Sequence, residues 1–157
     1  MVRGALNTIQ ATAPGMAAGR FGRIINIGSV LGFMPMPYMA FYSASKFALR
    51  GYSESLDHEL RNSGIRVSVI EPAFMKTAIE ANSTQAAFKR EEYQLVRASL
   101  EDRLTEMLED AEEPDVVADV IVKAAKETNP KLSYTAGSAA ARLKIMNNVL
   151  PARLLDA

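Results

Sequence analysis

Two short apolar runs, bounded by glycine or proline, set the frame for this chain. Gly22-Arg23-Ile24-Ile25-Asn26-Ile27-Gly28-Ser29 is the first, and Ile65-Arg66-Val67-Ser68-Val69-Ile70, ending at Glu71-Pro72, is the second. β-Branched runs of this length read as strands buried on both faces. The segment between them, Tyr42 to Asn62, has helical spacing: Phe47, Tyr52, Leu56 and Leu60 can share a face, and Gly64 suits a helix end. A strand, a helix and a second strand in this order predict a crossover connection. Crossovers make the strands parallel and lay helices over the sheet.

The rest of the chain extends the pattern. Met1 to Gly19 is helical, with Leu6, Ile9, Gln10 and Ala13 at helical spacing and Pro14-Gly15 disturbing the far end. Leu31 to Pro37 reads as a loop. A charged helix is expected from about Ala86 to Ala111, with Phe88, Val96, Leu100, Leu104 and Leu108 as an apolar stripe. Ten of the 18 acidic residues fall between Glu91 and Asp115, which reads as a solvated helix face. Pro114-Asp115 opens another helix, to about Thr128, with Val116, Val120, Ile121 and Ala124 inward. Lys131 to Tyr134 is a short third strand, and Ala139 to Leu155 is weakly helical. The expected fold class is α/β, a doubly wound parallel sheet of about three strands with flanking helices.

Composition removes several classes of function. There are 18 basic and 18 acidic side chains, so the chain has no basic stripe for nucleic acid. Without cysteine there is no thiolate nucleophile and no zinc ribbon. A single histidine, His58, makes a metal site or a histidine-based triad a poor expectation; it reads as structural. No apolar run reaches the ~20 residues of a membrane span. The N-terminus lacks a signal pattern, which predicts a cytoplasmic protein.

In open α/β sheets, ligands bind beyond the carboxyl ends of the strands. The first strand ends at Gly28-Ser29, and the next helix opens with Tyr42-Ser43-Ala44-Ser45-Lys46. Tyr42 and Lys46 stand at i and i+4, on one helix face. A free tyrosine has a pKa of about 10 and is a poor acid or base at neutral pH. A nearby ammonium favours the phenolate, so the phenol can exchange a proton with an alcohol or carbonyl oxygen. A serine hydroxyl at the strand end could hold the same oxygen. A Tyr–Lys pair at this spacing also arises by chance on ordinary helices, so the pair alone does not decide the matter.

Three motifs in order do more. Gly22 to Ser29, Tyr42-Ser-Ala-Ser-Lys46 and Pro72-Ala-Phe-Met-Lys-Thr77 resemble the short-chain dehydrogenase/reductase family. Its signature places a serine thirteen residues before the tyrosine of Tyr-x-x-x-Lys, as Ser29 and Tyr42 stand here. A later strand is usually followed by Pro-Gly-x-x-x-Thr; Pro72 and Thr77 match, but Ala73 replaces the glycine. A serine usually precedes the catalytic one, and Gly28 stands there instead.

The resemblance implies an NAD- or NADP-dependent oxidoreductase moving hydride between nicotinamide and a carbonyl or alcohol carbon. By it, Tyr42 is the general acid/base, Lys46 lowers its pKa and holds the nicotinamide ribose, and Ser29 orients the substrate oxygen. Pro72, Met75 and Thr77 would border the nicotinamide. Met34, Met36, Met39 and Phe41 would border an apolar substrate. Homo-oligomers through helices 2–19 and 42–62 are also implied.

The resemblance covers only the family's second half, so residues 1–157 are expected to be the C-terminal part of such a domain without its dinucleotide-binding half. The family's Gly-rich phosphate loop has only a superficial echo in Gly15-Met-Ala-Ala-Gly19-Arg-Phe-Gly22, where a helix precedes and a strand follows. Met1 falls where a catalytic asparagine is usual. Two other readings stand beside the enzyme: an inactive fragment serving as a dimerisation or interaction module, and a plain truncation. Either would leave the 24–27 strand with an open apolar edge.

Overall fold

The computed structural model describes residues 2–77 and 93–151. The elements are α1 (Val2–Ala18), β1 (Gly22–Ile27), α2 (Ala40–Leu60), β2 (Ile65–Pro72), α3 (Gln94–Glu109), α4 (Asp115–Lys126), β3 (Ser133–Ala136) and α5 (Ser138–Val149). Short 3-10 turns occupy Val30–Gly32 and Arg61–Ser63. The chain forms two compact units: Phe74–Val116, and the remainder with its sheet.

The sheet is three-stranded, in the order β1-β2-β3. Both pairs are parallel, with Ile24 opposite Val67 and Ile70 opposite Tyr134. Strand side chains alternate between faces, and two cores follow from that. Ile24, Ile65 and Val67 join Ile9 of α1 on one face, with Ala13, Met16, Tyr52, Leu56 and Leu60 packed around them. On the other, Ile70, Tyr134 and Ala136 meet Ala124 of α4, with Ile25, Val117, Val120 and Ile121 alongside. Helices therefore cover both faces, the doubly wound arrangement expected of a parallel sheet.

Three local details differ from the sequence expectation. α1 runs through Pro14 to Ala18. Pro14 removes the donor for the Gln10 carbonyl, but both residues are exposed, so water can take that oxygen. Phe47 does not join Tyr52, Leu56 and Leu60; it is 43% exposed, and the buried positions of α2 are Ser43, Leu49, Ser53 and Asp57. The Leu31–Pro37 loop begins as the 3-10 turn Val30–Gly32, capped by the Ser29 hydroxyl oxygen, which accepts from Leu31 N at 3.2 Å. Gly64 does end the α2 segment. Its φ is +80°, and a Cβ there would lie 2.0 Å from the Arg20 carbonyl oxygen, so only glycine fits.

In the second unit, α3 is solvated as its acids suggest, with Leu100, Leu104 and Leu108 half-buried and Val96 exposed. Phe88 and the start of the expected 86–111 helix lie outside the described residues, as do residues 152–155 of the expected final helix.

Candidate active site

The carboxyl ends of β1 and β2 carry a third core of Val30, Leu31, Phe33 and Ala140, with Met34, Met36, Met39, Tyr42, Ala73 and Leu143 against it. Tyr42 thus packs on the turn that Ser29 opens. Lys46 lies one helical turn further along α2. Its ammonium stands 5.5 Å from the centre of the Tyr42 ring and donates to the Ile27 carbonyl oxygen at 2.9 Å. Burial lowers the Lys46 pKa from its ordinary value.

Two glycines set how closely these parts approach. A Cβ on Gly32 would lie 3.1 Å from the Lys46 carbonyl oxygen, so the 3-10 turn sits directly on the α2 backbone. A Cβ on Gly28 would meet Val69 Cγ1 at 2.7 Å and the Ile70 carbonyl oxygen at 3.1 Å. Gly28 N–H also donates to that Ile70 oxygen at 2.7 Å. A side chain at this position would therefore have to move the Val69 side chain and crowd the Ile70 carbonyl. Ser29 itself is buried.

The structure therefore brings Ser29, Tyr42 and Lys46 to one end of the sheet. Pro72 closes β2 nearby, paired in register with Ala136. Met75 and Thr77 belong to the second unit. There Met75 is buried and bridges to Glu112, Lys76 N–H donates to the Glu112 carbonyl at 3.1 Å, and Thr77 is exposed. His58 is exposed. No group of metal-binding side chains occurs among the described residues.

Several buried polar groups escape a reading by pattern. Glu71 is completely buried, with Lys144 Nζ at 3.0 Å and Arg50 Nε at 3.4 Å. Asp57 is completely buried and held by Arg61, Arg66 and Val67 N–H. Ser53 donates to the Leu49 carbonyl and accepts from Asn26 Nδ2 at 2.8 Å. Asn26 thus reaches across to α2 rather than bonding locally. In sequence, a carboxylate on a helix or at a strand end looks solvated. Only the cations that meet these two show otherwise: Arg61 and Arg66 at Asp57, and Arg50 and the distant Lys144 at Glu71.

A nicotinamide dinucleotide has two ends to satisfy. The ammonium of Lys46 has three protons and gives one to Ile27, so it can also meet ribose hydroxyls. That fits the nicotinamide end. The Gly15–Gly22 stretch is the last turn of α1 and the entry to β1, not a strand-to-helix phosphate loop.

A parallel sheet covered on both faces, with a tyrosine, a lysine and a serine-capped turn at its carboxyl end, is a doubly wound α/β arrangement with polar groups where such sheets bind ligands. The chain belongs to the short-chain dehydrogenase family, whose model matches residues 1–87. An uncharacterized oxidoreductase of Schizosaccharomyces pombe is 36% identical over 137 residues, 87% of this chain and 57% of that protein. A short-chain dehydrogenase of Streptomyces avermitilis shares the fold with a TM-score of 0.77 at 24% identity, over 99% of this chain and 56% of that one. A 3-oxoacyl-(acyl-carrier protein) reductase of Brucella melitensis with bound NAD matches with a TM-score of 0.59 at 27% identity, over 87% and 48%. The chain thus spans about half the length of these relatives.

Proposed function

We propose that these residues form the proton-transfer part of an NAD- or NADP-dependent oxidoreductase acting on a small carbonyl or alcohol, with apolar character suited to the Met34, Met36 and Met39 side. The supporting observation is the Lys46 ammonium, set over the Tyr42 ring and tied to the carbonyl two residues before Ser29. Nicotinamide supplies or accepts the hydride when bound. Tyr42 gives its phenolic proton to the carbonyl oxygen during reduction and takes it back during oxidation. Lys46 supports the phenolate by its charge and holds the ribose. Ser29 donates its hydroxyl to the same substrate oxygen, because its own oxygen already accepts from Leu31 N–H. Pro72, Met75 and Thr77 are assigned to the nicotinamide border by family resemblance. The Brucella relative with bound NAD supports the cofactor class.

The test is Tyr42→Phe, assayed with NADH and NADPH against a panel of apolar ketones and aldehydes. The loss of one proton donor should lower kcat by about 10²–10⁴-fold. Full turnover by Tyr42→Phe overturns the assignment.

A second reading has its own support. The outer face of α2 is apolar, with Phe41 96% exposed beside exposed Ala44, Phe47 and Ala48. That face suits a paired helix, so the chain could serve as a dimerisation module without turnover. Sedimentation separates this reading from the first: a dimer that Phe47→Glu dissociates, with no cofactor binding in the parent, favours it.

A further inference from the structure

Glu71 is the largest fully buried polar side chain among the described residues, and the proposed chemistry leaves it without a task. It ends the apolar part of β2, and both of its ion-pair partners come from other elements: Arg50 from α2, and Lys144 from α5. Oε2 accepts from Lys144 at 3.0 Å. Oε1 lies 3.4 Å from Arg50 Nε but makes no hydrogen bond, because Arg50 Nε points to Glu54 at 2.8 Å.

The two cations share a second contact. Lys144 Nζ lies 4.3 Å from the centre of the Phe33 ring, and the Arg50 guanidinium carbon lies 5.7 Å from it. Phe33 ends the 3-10 turn that Ser29 begins. The stem of Glu71 also lies beside Gly28, which precedes Ser29: a Cβ built there would stand 3.7 Å from Glu71 Cγ. One carboxylate therefore pairs with two cations that lie against the far end of the turn, Lys144 through a hydrogen bond and Arg50 at ion-pair distance. Arg50 follows Lys46 by one turn of α2, so the same carboxylate ties down the helix that bears Tyr42 and Lys46.

We propose that Glu71 is a positioning residue for Ser29, acting through Lys144, Arg50 and Phe33. The inference rests on the reading that Ser29 and Tyr42 meet the reacting oxygen. Its physical basis is that removing one partner of a buried ion pair leaves the other charge uncompensated, so Lys144 is drawn from the ring toward water. With an uncharged group at Glu71, Lys144 has no reason to stay over the ring, and the turn from Ser29 to Phe33 loses its clamp.

The experiment compares the parent with Glu71→Gln, Lys144→Met, Lys144→Arg and the double variant Glu71→Gln/Lys144→Met. Hydrogen exchange of the whole chain is read by peptide, with turnover measured on the same preparations. Glu71→Gln and Lys144→Met should each speed exchange of the amides from Leu31 to Met34, while the β2 amides keep the parent rate. Lys144→Arg should restore the parent pattern. Where turnover is present, kcat should fall about 10–100-fold with little change in KM, as for a misplaced catalytic group. The double variant should lose no more than either single one. Unchanged exchange from Leu31 to Met34 overturns the proposal, whether or not the chain turns over. So does uniformly faster exchange with unchanged kcat, since that marks Glu71 as merely structural. Tyr42→Phe serves as the control: it should lower kcat by about 10²–10⁴-fold and leave exchange alone. Full activity in that variant refutes the catalytic reading, and the exchange data then judge the clamp separately.

Discussion

Replacing Asp57 by alanine should cost about 3–4 kcal/mol of folding stability. The magnitude follows from what the carboxylate holds. It accepts from Val67 N–H at 2.8 Å, from Arg66 Nε at 2.9 Å and from Arg61 Nη2 at 2.6 Å, and it is completely buried. Alanine leaves the Val67 N–H buried without a partner, a loss of about 1–3 kcal/mol. Arg66 remains tied to Asn129 Oδ1 at 2.6 Å and to the Pro130 carbonyl at 2.9 Å, so it loses only part of its support. Arg61 is 41% exposed and turns to water at little cost. Against a typical domain stability of about 5–15 kcal/mol, the change is large. Urea unfolding followed by circular dichroism measures it, with an unchanged m-value showing that the unfolded state is the same.

pH supplies a second arm. Burial pushes the Asp57 carboxyl up, but hydrogen bonds from Arg66, Val67 N–H and Arg61, with the attraction of Arg66, outweigh it. The pKa ends below the ordinary 3.8. A carboxylate whose folded pKa is depressed stabilises fully above its unfolded pKa and loses that contribution as pH falls through the folded value. The stability gap between parent and Asp57→Ala should therefore hold constant from neutral pH down to about 5 and narrow below about 4. A gap under about 1 kcal/mol at pH 7, or one that widens in acid, refutes the reasoning.

Two further outcomes can be measured. Gly28→Ser, which restores the residue usual in the family, should destabilise the chain by about 1–3 kcal/mol, because Val69 lies 2.7 Å from the new Cβ; thermal melting reads this, and an unchanged midpoint contradicts the contact. The edge of β1 that no described strand covers should drive self-association of the 157-residue chain: Gly22 and Gly28 donate toward the β2 side, so by strand alternation Arg23, Ile25 and Ile27 direct their N–H groups away from it. Ile25→Pro removes one of those donors and should lower the sedimentation coefficient, whereas a parent that is already monomeric at high concentration rules the edge out.

The strands and helices were legible because their periodicity is strong. Ile65 to Ile70 is apolar except for Arg66 and Ser68, and Gly64 could only be a stop. The candidate Tyr42–Lys46 pair was legible because both residues are local to one turn of α2. What escaped depends on distant partners. Asn26 bonds Ser53 across 27 residues, and Glu71 meets Lys144 across 73. Phe47 misled in the opposite sense: its apolarity suggested an inward position, while the inward row of α2 includes two serines and an aspartate. Buried polar residues are paired by tertiary structure, and no local pattern announces that pairing.

The spatial order of the described sheet equals its order along the chain. β1 meets β2 at positions 43 residues apart, and β2 meets β3 at positions 64 residues apart. No strand has to insert between two that are already in place. At a synthesis rate of about 5–20 residues per second, β2 follows β1 by about 2–9 s and β3 follows β2 by about 3–13 s. Those intervals far exceed the microseconds needed to form a helix, so α2 can be complete before β2 leaves the ribosome. Assembly can then advance by docking each new strand on the exposed edge of the last, in step with translation.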